Sequence, residues 1–368
     1  MPDSVETSPV PVIAQVDALI GRAGAYAAQS TGPGTRRAYR SAWRGYVAWC
    51  DSHGRAPLTG DPWQVALYLT QRAEDGLAVA SLRVARAAIR AAHRLAGVAL
   101  DLADPQLAMV MEGIARCNAA RPRRRATPAV PDVLRRLLAA LPCPTTPAAA
   151  APALAARHRA MLLLGFGAAL RRSELAGLRV GDVSIVAGRG LSVLVRRGKT
   201  DQHGRGRTLA LWANHRDPTF CPLVAFAAWL AFRRGAADWI PDSRPDSHDA
   251  AAELPLFCAI SSAGRVLGGP ALADKVVNRL LKQAARAAGL DPARFSGHSL
   301  RRGLLTDAGD RQIPLVDLMR HARHKSVDAA LGYIEAGDAW RNNITAGVFR
   351  DSPRLDRADA RDGELAAG

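Results

Sequence analysis

The sequence predicts a mostly α-helical protein with a small β-hairpin or sheet. It reads as an all-α N-terminal domain followed by a larger α+β domain. Three observations carry this. Apolar residues recur at helical spacing along much of the chain. Two β-like runs, Leu191–Val195 and Thr208–Trp212, are joined by the Gly/Arg-rich segment 196–207, the pattern of a hairpin with a long tip. The length, 368 residues, is enough for two cores.

Residues 1–16 read as a Pro-containing disordered tail, and 17–121 as the helical domain. Thr35 is the expected cap of a helix running to about Cys50. On that helix Tyr39, Trp43, Tyr46, Val47 and Cys50 share one face, while Arg36, Arg37, Arg40 and Arg44 lie elsewhere on its surface. Pro62-Trp63 starts the next segment. A second strong helix spans about Val79 to Ala96, with Leu82, Ala85, Ile89 and Ala92 as its apolar stripe. Arg83, Arg86, Arg90 and Arg94 recur every three or four residues, so they form a separate basic stripe. Few acids interleave with either set of arginines, which suits contact with nucleic-acid phosphates; a solvated charged face is the alternative.

Residues 122–132 read as a basic linker, with Arg123, Arg124 and Arg125 between prolines that resist helix formation. Residues 133–350 read as the second domain, with helical patterns at 133–141, 154–170, 173–178, 222–233, 270–288, 297–309, 313–322 and 326–334. The stretch 234–253 is rich in Pro, Asp and Ser and reads as an exposed loop; residues 351–368 read as a disordered tail.

The formal charge is +17, which points to a polyanionic partner. Only four of the 50 basic residues are lysines, namely Lys199, Lys275, Lys282 and Lys325. A GC-rich coding sequence would explain arginine over lysine, but not base over acid. The five cysteines include no CxxC pair, which argues against a zinc site or a disulfide framework and suits the cytosol. The longest uncharged apolar runs, 160–170 and 223–232, are too short to span a bilayer, and the acidic N-terminus lacks the marks of an export signal. No carboxylate cluster of the kind that holds magnesium is visible, so neither a metal nor any other cofactor is expected.

The chemistry-bearing residues fall in a fixed order. Leu170-Arg171-Arg172-Ser173-Glu174-Leu175 follows a strongly apolar helix. Lys199 sits in the hairpin tip. Gly297-His298-Ser299-Leu300-Arg301-Arg302-Gly303 opens a helix with Ser296 as its expected cap, and His298 and Arg301, three apart, share a face. His324 precedes Tyr333 by nine residues, and Tyr333 is the one tyrosine after Tyr68.

This order resembles the tyrosine recombinases, or phage integrases. The segments around Arg171 and His298 are similar to the family's first and second boxes, and the interval from His324 to Tyr333 matches its last. The resemblance covers about residues 20–350, with the Arg-rich helical domain standing as the core-binding domain and 133–350 as the catalytic domain. It implies a two-domain C-shaped clamp on duplex DNA, and attack of Tyr333 on a phosphodiester to give a 3′-phosphotyrosine and a free 5′-hydroxyl. Arg171 and Arg301 would bind the non-bridging oxygens through paired N–H donors. His298 and His324 would add hydrogen bonds or move protons. Lys199 is the expected general acid for the leaving 5′-oxygen, because lysine yields a proton more readily than arginine. Glu174 is expected to orient an arginine, and His321 to be structural.

The resemblance further implies a homotetramer on paired inverted sites, with a C-terminal helix bearing Trp340, Ile344 and Val348 exchanged between protomers. No membrane and no nucleotide cofactor enter this scheme, because the covalent link conserves the phosphodiester energy. Two alternatives stay open: a type IB topoisomerase-like relaxing enzyme, and a catalytically inactive DNA-binding protein of the same fold.

Overall fold

A computed structural model describes residues 32–119, 126–143, 146–196, 206–236, 238, 251–324, 326–327 and 330–331. Tyr333, Lys199, Arg123, Arg124, Arg125, both expected tails and the expected C-terminal helix lie outside the described residues. The chain divides into two compact units, Met1–Arg123 and Arg124–Gly368.

In the first unit the described elements are α1 (Pro33–Ser52), α2 (Pro62–Glu74), α3 (Val79–Leu95) and α4 (Pro105–Cys117). The start of α1 corrects the expectation for Thr35. Gly32 occupies the N-cap position and Pro33 follows it, leaving Thr35 inside the first turn. Proline prevails because its φ is already helical and its missing N–H would have had no partner there. Asp61 and Asp104 cap α2 and α4 by accepting the backbone N–H groups of Trp63 and Leu107, at 2.9 and 3.0 Å. Helix α4 was not singled out from the sequence. The apolar stripes meet as expected: Tyr46 and Cys50 from α1, Val65 and Leu69 from α2, Leu82 and Ile89 from α3, and Leu107 from α4 form one core.

The second unit is built around the apolar helix α6 (Ala151–Gly167). Around it stand α5 (Pro131–Ala139), the short α7 (Arg172–Ala176), α8 (Pro222–Arg234), α9 (Lys275–Ala287), α10 (His298–Asp310) and α11 (Leu315–Ala322). The expected hairpin forms as β2 (Gly190–Val195) and β3 (Arg207–Trp212), and β1 (Val183–Val186) adds a third antiparallel strand that the sequence reading left out. Its residues alternate as a half-buried sheet requires: Leu191, Val193, Val195, Leu209 and Leu211 face the core. A second two-stranded ribbon, β4 (Ala259–Ile260) with β5 (Val266–Gly268), was also unforeseen. The two small antiparallel sheets leave the described chain mostly helical, as predicted.

Two glycines allow the close approaches that set α10. A Cβ on Gly303 would stand 2.1 Å from the Ala129 carbonyl oxygen, so segment 126–130 can lie against α10 only because position 303 is bare. A Cβ on Gly165 would meet Leu300 at 2.8 Å and Leu175 at 3.0 Å, so α6 takes in α7 and α10 at that point. Hydrogen bonds from Ala129 N–H to the Ser299 carbonyl, and from Arg302 to the Ala126 carbonyl, complete the strap. Ser296 is not the N-cap of α10; Gly297 is, although the Ser296 hydroxyl still accepts the His298 N–H at 3.3 Å. Among the described residues no helix is long and apolar enough to cross a membrane.

Candidate active site

The site begins where α6 ends. Ala169 takes φ 45°, a left-handed turn that redirects the chain after Gly167 and brings Arg171 to the N-cap position of α7. Glu174, one turn on, folds back. Its Oε2 accepts the Arg171 backbone N–H at 2.9 Å and its Oε1 the Arg171 Nη1 at 2.5 Å. The carboxylate side chain is 2% exposed and that of Arg171 18%, so the acid is buried and the arginine part-exposed. Burial would raise the Glu174 pKa, but the charge of Arg323, then the N–H and guanidinium of Arg171, outweigh it and hold the carboxyl below its usual range. Glu174 thus fits the orienting role expected of it.

Arg172 turns the other way, to Asp274 at the start of α9, 3.0 Å off. Of the two neighbouring arginines, Arg171 is the one joined to the site.

Arg301 rises from α10 with its side chain buried. It donates to the carbonyl of Ala169 at 2.7 Å and to that of Ala322, which ties α10 to the ends of α6 and α11. His298, one turn earlier, is exposed at the start of the same helix. His324, half-buried just past α11, has its pKa pushed down to about 4, first by burial and then by Arg301, Arg171 and Arg323. At neutral pH it is therefore uncharged and can accept or donate a hydrogen bond, but it is a weak base. His321 meets the Gly167 carbonyl at 2.8 Å, in keeping with a structural role.

The sequence reading missed Arg323. It sits in a left-handed turn (φ 57°) as the C-cap of α11 and donates to Glu174 at 2.9 Å and to the Ala168 and Ala169 carbonyls at 3.1 and 3.0 Å. The signal available was slight: a cation between two histidines, in a chain where arginine is everywhere. Arg207, the first residue of β3, was also passed over. Its charge lowers the pKa of both His321 and Arg323, after burial and other charges, so the Val195–Arg207 end of the β2–β3 pair stands near the cluster. Lys199 lies outside the described residues.

The structure thus brings Arg171, Glu174, Arg301 and His324 together, with His298 on the same helix as Arg301. Ala330, three residues before Tyr333, is buried with Leu305, Leu318 and Ala322 under α10 and α11. Tyr46 and Tyr68 are core residues of the first unit, and burial raises the pKa of both phenols. In that unit Arg36, Arg37, Arg40, Arg44, Arg83, Arg90 and Arg94 are exposed and Arg86 is half-buried. Among the described residues no group of three or more His, Cys, Asp or Glu could hold a metal ion.

No family model matches the chain. It is 29% identical over 319 residues to an integrase/recombinase xerD homolog of Selenomonas ruminantium, across 86% of this chain and 85% of that protein. Among solved structures, the Tn1549 transposon integrase in complex with transposon right end DNA superposes with a TM-score of 0.57 at 17% identity, covering 87% of this chain and 94% of that one. The XerH site-specific recombinase bound to a palindromic difH substrate, in a post-cleavage complex, gives 0.53 at 16% identity, over 79% and 73%. The fold is that of the tyrosine recombinases. In sequence the chain is similar to the xerD homolog along most of both chains.

Proposed function

We propose that this protein is a site-specific DNA recombinase that cleaves and rejoins duplex DNA through a covalent 3′-phosphotyrosine at Tyr333. The observation that carries the reading is the grouping of Arg171, Arg301 and His324 at the turn after α6, with the part-exposed Arg171 held by the buried Glu174. Such a cluster suits a phosphodiester whose non-bridging oxygens gain charge in the transition state, because fixed, desolvated cations need no reorganisation as the charge develops. Arg171 and Arg301 bind those oxygens; His298, exposed at the start of α10, donates to one of them. Neutral His324 adds a hydrogen bond to the phosphate or to the attacking phenol. Lys199 protonates the leaving 5′-oxygen. Rejoining is the reverse attack by a 5′-hydroxyl of another strand, without a nucleotide cofactor or a metal.

The first unit, the linker at 122–132 and its arginines bind the duplex. They comprise Arg36, Arg37, Arg40, Arg44, Arg83, Arg86, Arg90, Arg94, Arg123, Arg124 and Arg125, and their partners are phosphates. Four protomers assemble on two inverted-repeat sites, exchanging the segment that holds Trp340, Ile344 and Val348. The protein acts on DNA in the cytoplasm. Both the xerD homolog and the DNA-bound recombinases of like fold favour this reading over a relaxing enzyme.

The test is covalent trapping. The protein is incubated with fragments of its native replicon and denatured in SDS, and the attached DNA is sequenced. Adducts at one locus with inverted repeats, lost in Tyr333→Phe and reduced at least a hundredfold in Arg171→Ala, are the expected result. Adducts spread over many sequences would instead mark a topoisomerase-like enzyme. Tight binding with no adduct would mark an inactive DNA-binding protein. Deleting residues 338–368 should abolish paired-site complexes while leaving single-site binding; undiminished synapsis would remove the exchange from the scheme.

A further inference from the structure

We infer that Arg323 is a positioning residue of this site: its guanidinium clamps Glu174 against the turn at Ala168–Ala169 and, through Glu174, fixes the guanidinium of Arg171. The inference rests on the reading of Arg171 as a phosphate-binding group.

Three observations support it. The first is the order of contacts. Arg323 Nη2 and the Arg171 backbone N–H both donate to Glu174 Oε2 at 2.9 Å, and Arg171 Nη1 donates to Oε1. The result is a guanidinium–carboxylate–guanidinium chain whose inner arginine is 8% exposed and whose outer one is 18% exposed. A carboxylate bonded on one side alone would leave its outer arginine free to swing; bonded on both, it holds that arginine in one direction.

The second is shared anchorage. Arg323 also donates to the Ala169 carbonyl, which accepts Arg301 Nη1 as well, so both substrate-binding arginines are referred to the same turn. The third is strain. Arg323 (φ 57°) and Ala169 (φ 45°) are two of the three non-glycine residues with positive φ among those described, and they are bonded to each other. A side chain in that region costs roughly 1–2 kcal/mol that glycine would avoid. Strain of this kind gathers where surrounding contacts over-determine the backbone. Here the contacts that hold it are those made by the Arg323 guanidinium.

The backbone conformation supplies a clean variant. Glycine accepts a left-handed turn, so Arg323→Gly removes the side chain without disturbing the end of α11, and Arg323→Lys keeps the charge but loses the fork. Adduct formation at Tyr333 is followed in single turnover at saturating DNA with the full-length protein. Both variants should bind DNA within about twofold of wild type, and their cleavage rate should fall at least tenfold. Adding Glu174→Gln to Arg323→Gly should cost no more than the larger single effect, because the two act as one unit. Cleavage at the wild-type rate, or a loss no greater than the loss of binding, would overturn the inference.

Should the wild type give no adduct that Tyr333→Phe removes, the proposed function has failed, and positioning is then read by NMR. The Nε–Hε resonance of Arg171, assigned by its disappearance in Arg171→Lys, should be motionally restricted in wild type and averaged in Arg323→Lys. Equal restriction in both proteins would refute the positioning role on its own.

Discussion

His324 and Glu174 both respond to acid in the same sense, for different reasons. The folded His324 binds its proton only near pH 4, whereas in an unfolded chain histidine does so near about 6.5. Between those values the unfolded state binds more protons, so His324 contributes stability fully above about pH 6.5 and loses it as the pH falls toward 4. The Glu174 carboxyl is held below its usual range, so its contribution is present above about pH 4.3 and disappears as the pH drops through the lowered value. The urea midpoint should therefore decline on acidification from pH 7 to 4.5, and His324→Gln should flatten that slope. An unchanged slope would mean that His324 is not held neutral. At this scale Arg171, Arg301, His298 and His324 were legible as candidates because each sits in a short motif. Arg323 was not, because a left-handed turn on a residue other than glycine leaves no mark in the sequence.

Among the elements, α10 matters most to the site, since it bears both His298 and Arg301. Its placement depends on a residue that contributes no side chain. Gly303→Ala would drive a methyl group into the Ala129 backbone, where no flexible atom can yield. Displacement should cost about 1–3 kcal/mol or more and move Arg301 off the Ala169 and Ala322 carbonyls. A thermal melt reads the first effect and the adduct rate the second; full stability and full rate in Gly303→Ala would mean that the strap simply shifts aside. The hairpin has its own anchor. Arg196, the residue after β2, is bonded to the buried Asp182, and this fixes the strand from which the Lys199 segment departs. Apart from α4, the described helices and the β2–β3 hairpin were readable from periodicity to within about five residues. β1 was not, because it is four residues long and only Val183 of it is buried.

For the whole molecule the dominant fact is a charge of +17. If the exposed arginines of α1 and α3 touch phosphates, each contact releases counterions, and log K should fall with log salt by about 0.9 per contact. Replacing Arg83, Arg90 and Arg94 by glutamine should lower that slope by about 3 × 0.9 and leave sequence preference unchanged. An unaltered slope would make α3 a solvated face. The sequence by itself determined the helical character, the two-part organisation it predicts, the basic surplus and the ordered set of motif residues, because periodicity, composition and spacing are local properties of the chain. Tertiary structure alone decided which second arginine holds Glu174 and which carbonyls fix that arginine in turn. Those choices depend on residues about 150 positions apart meeting across one turn, joined by hydrogen bonds from Arg323 to Glu174 and to the Ala168 and Ala169 carbonyls, and periodicity does not record such contacts.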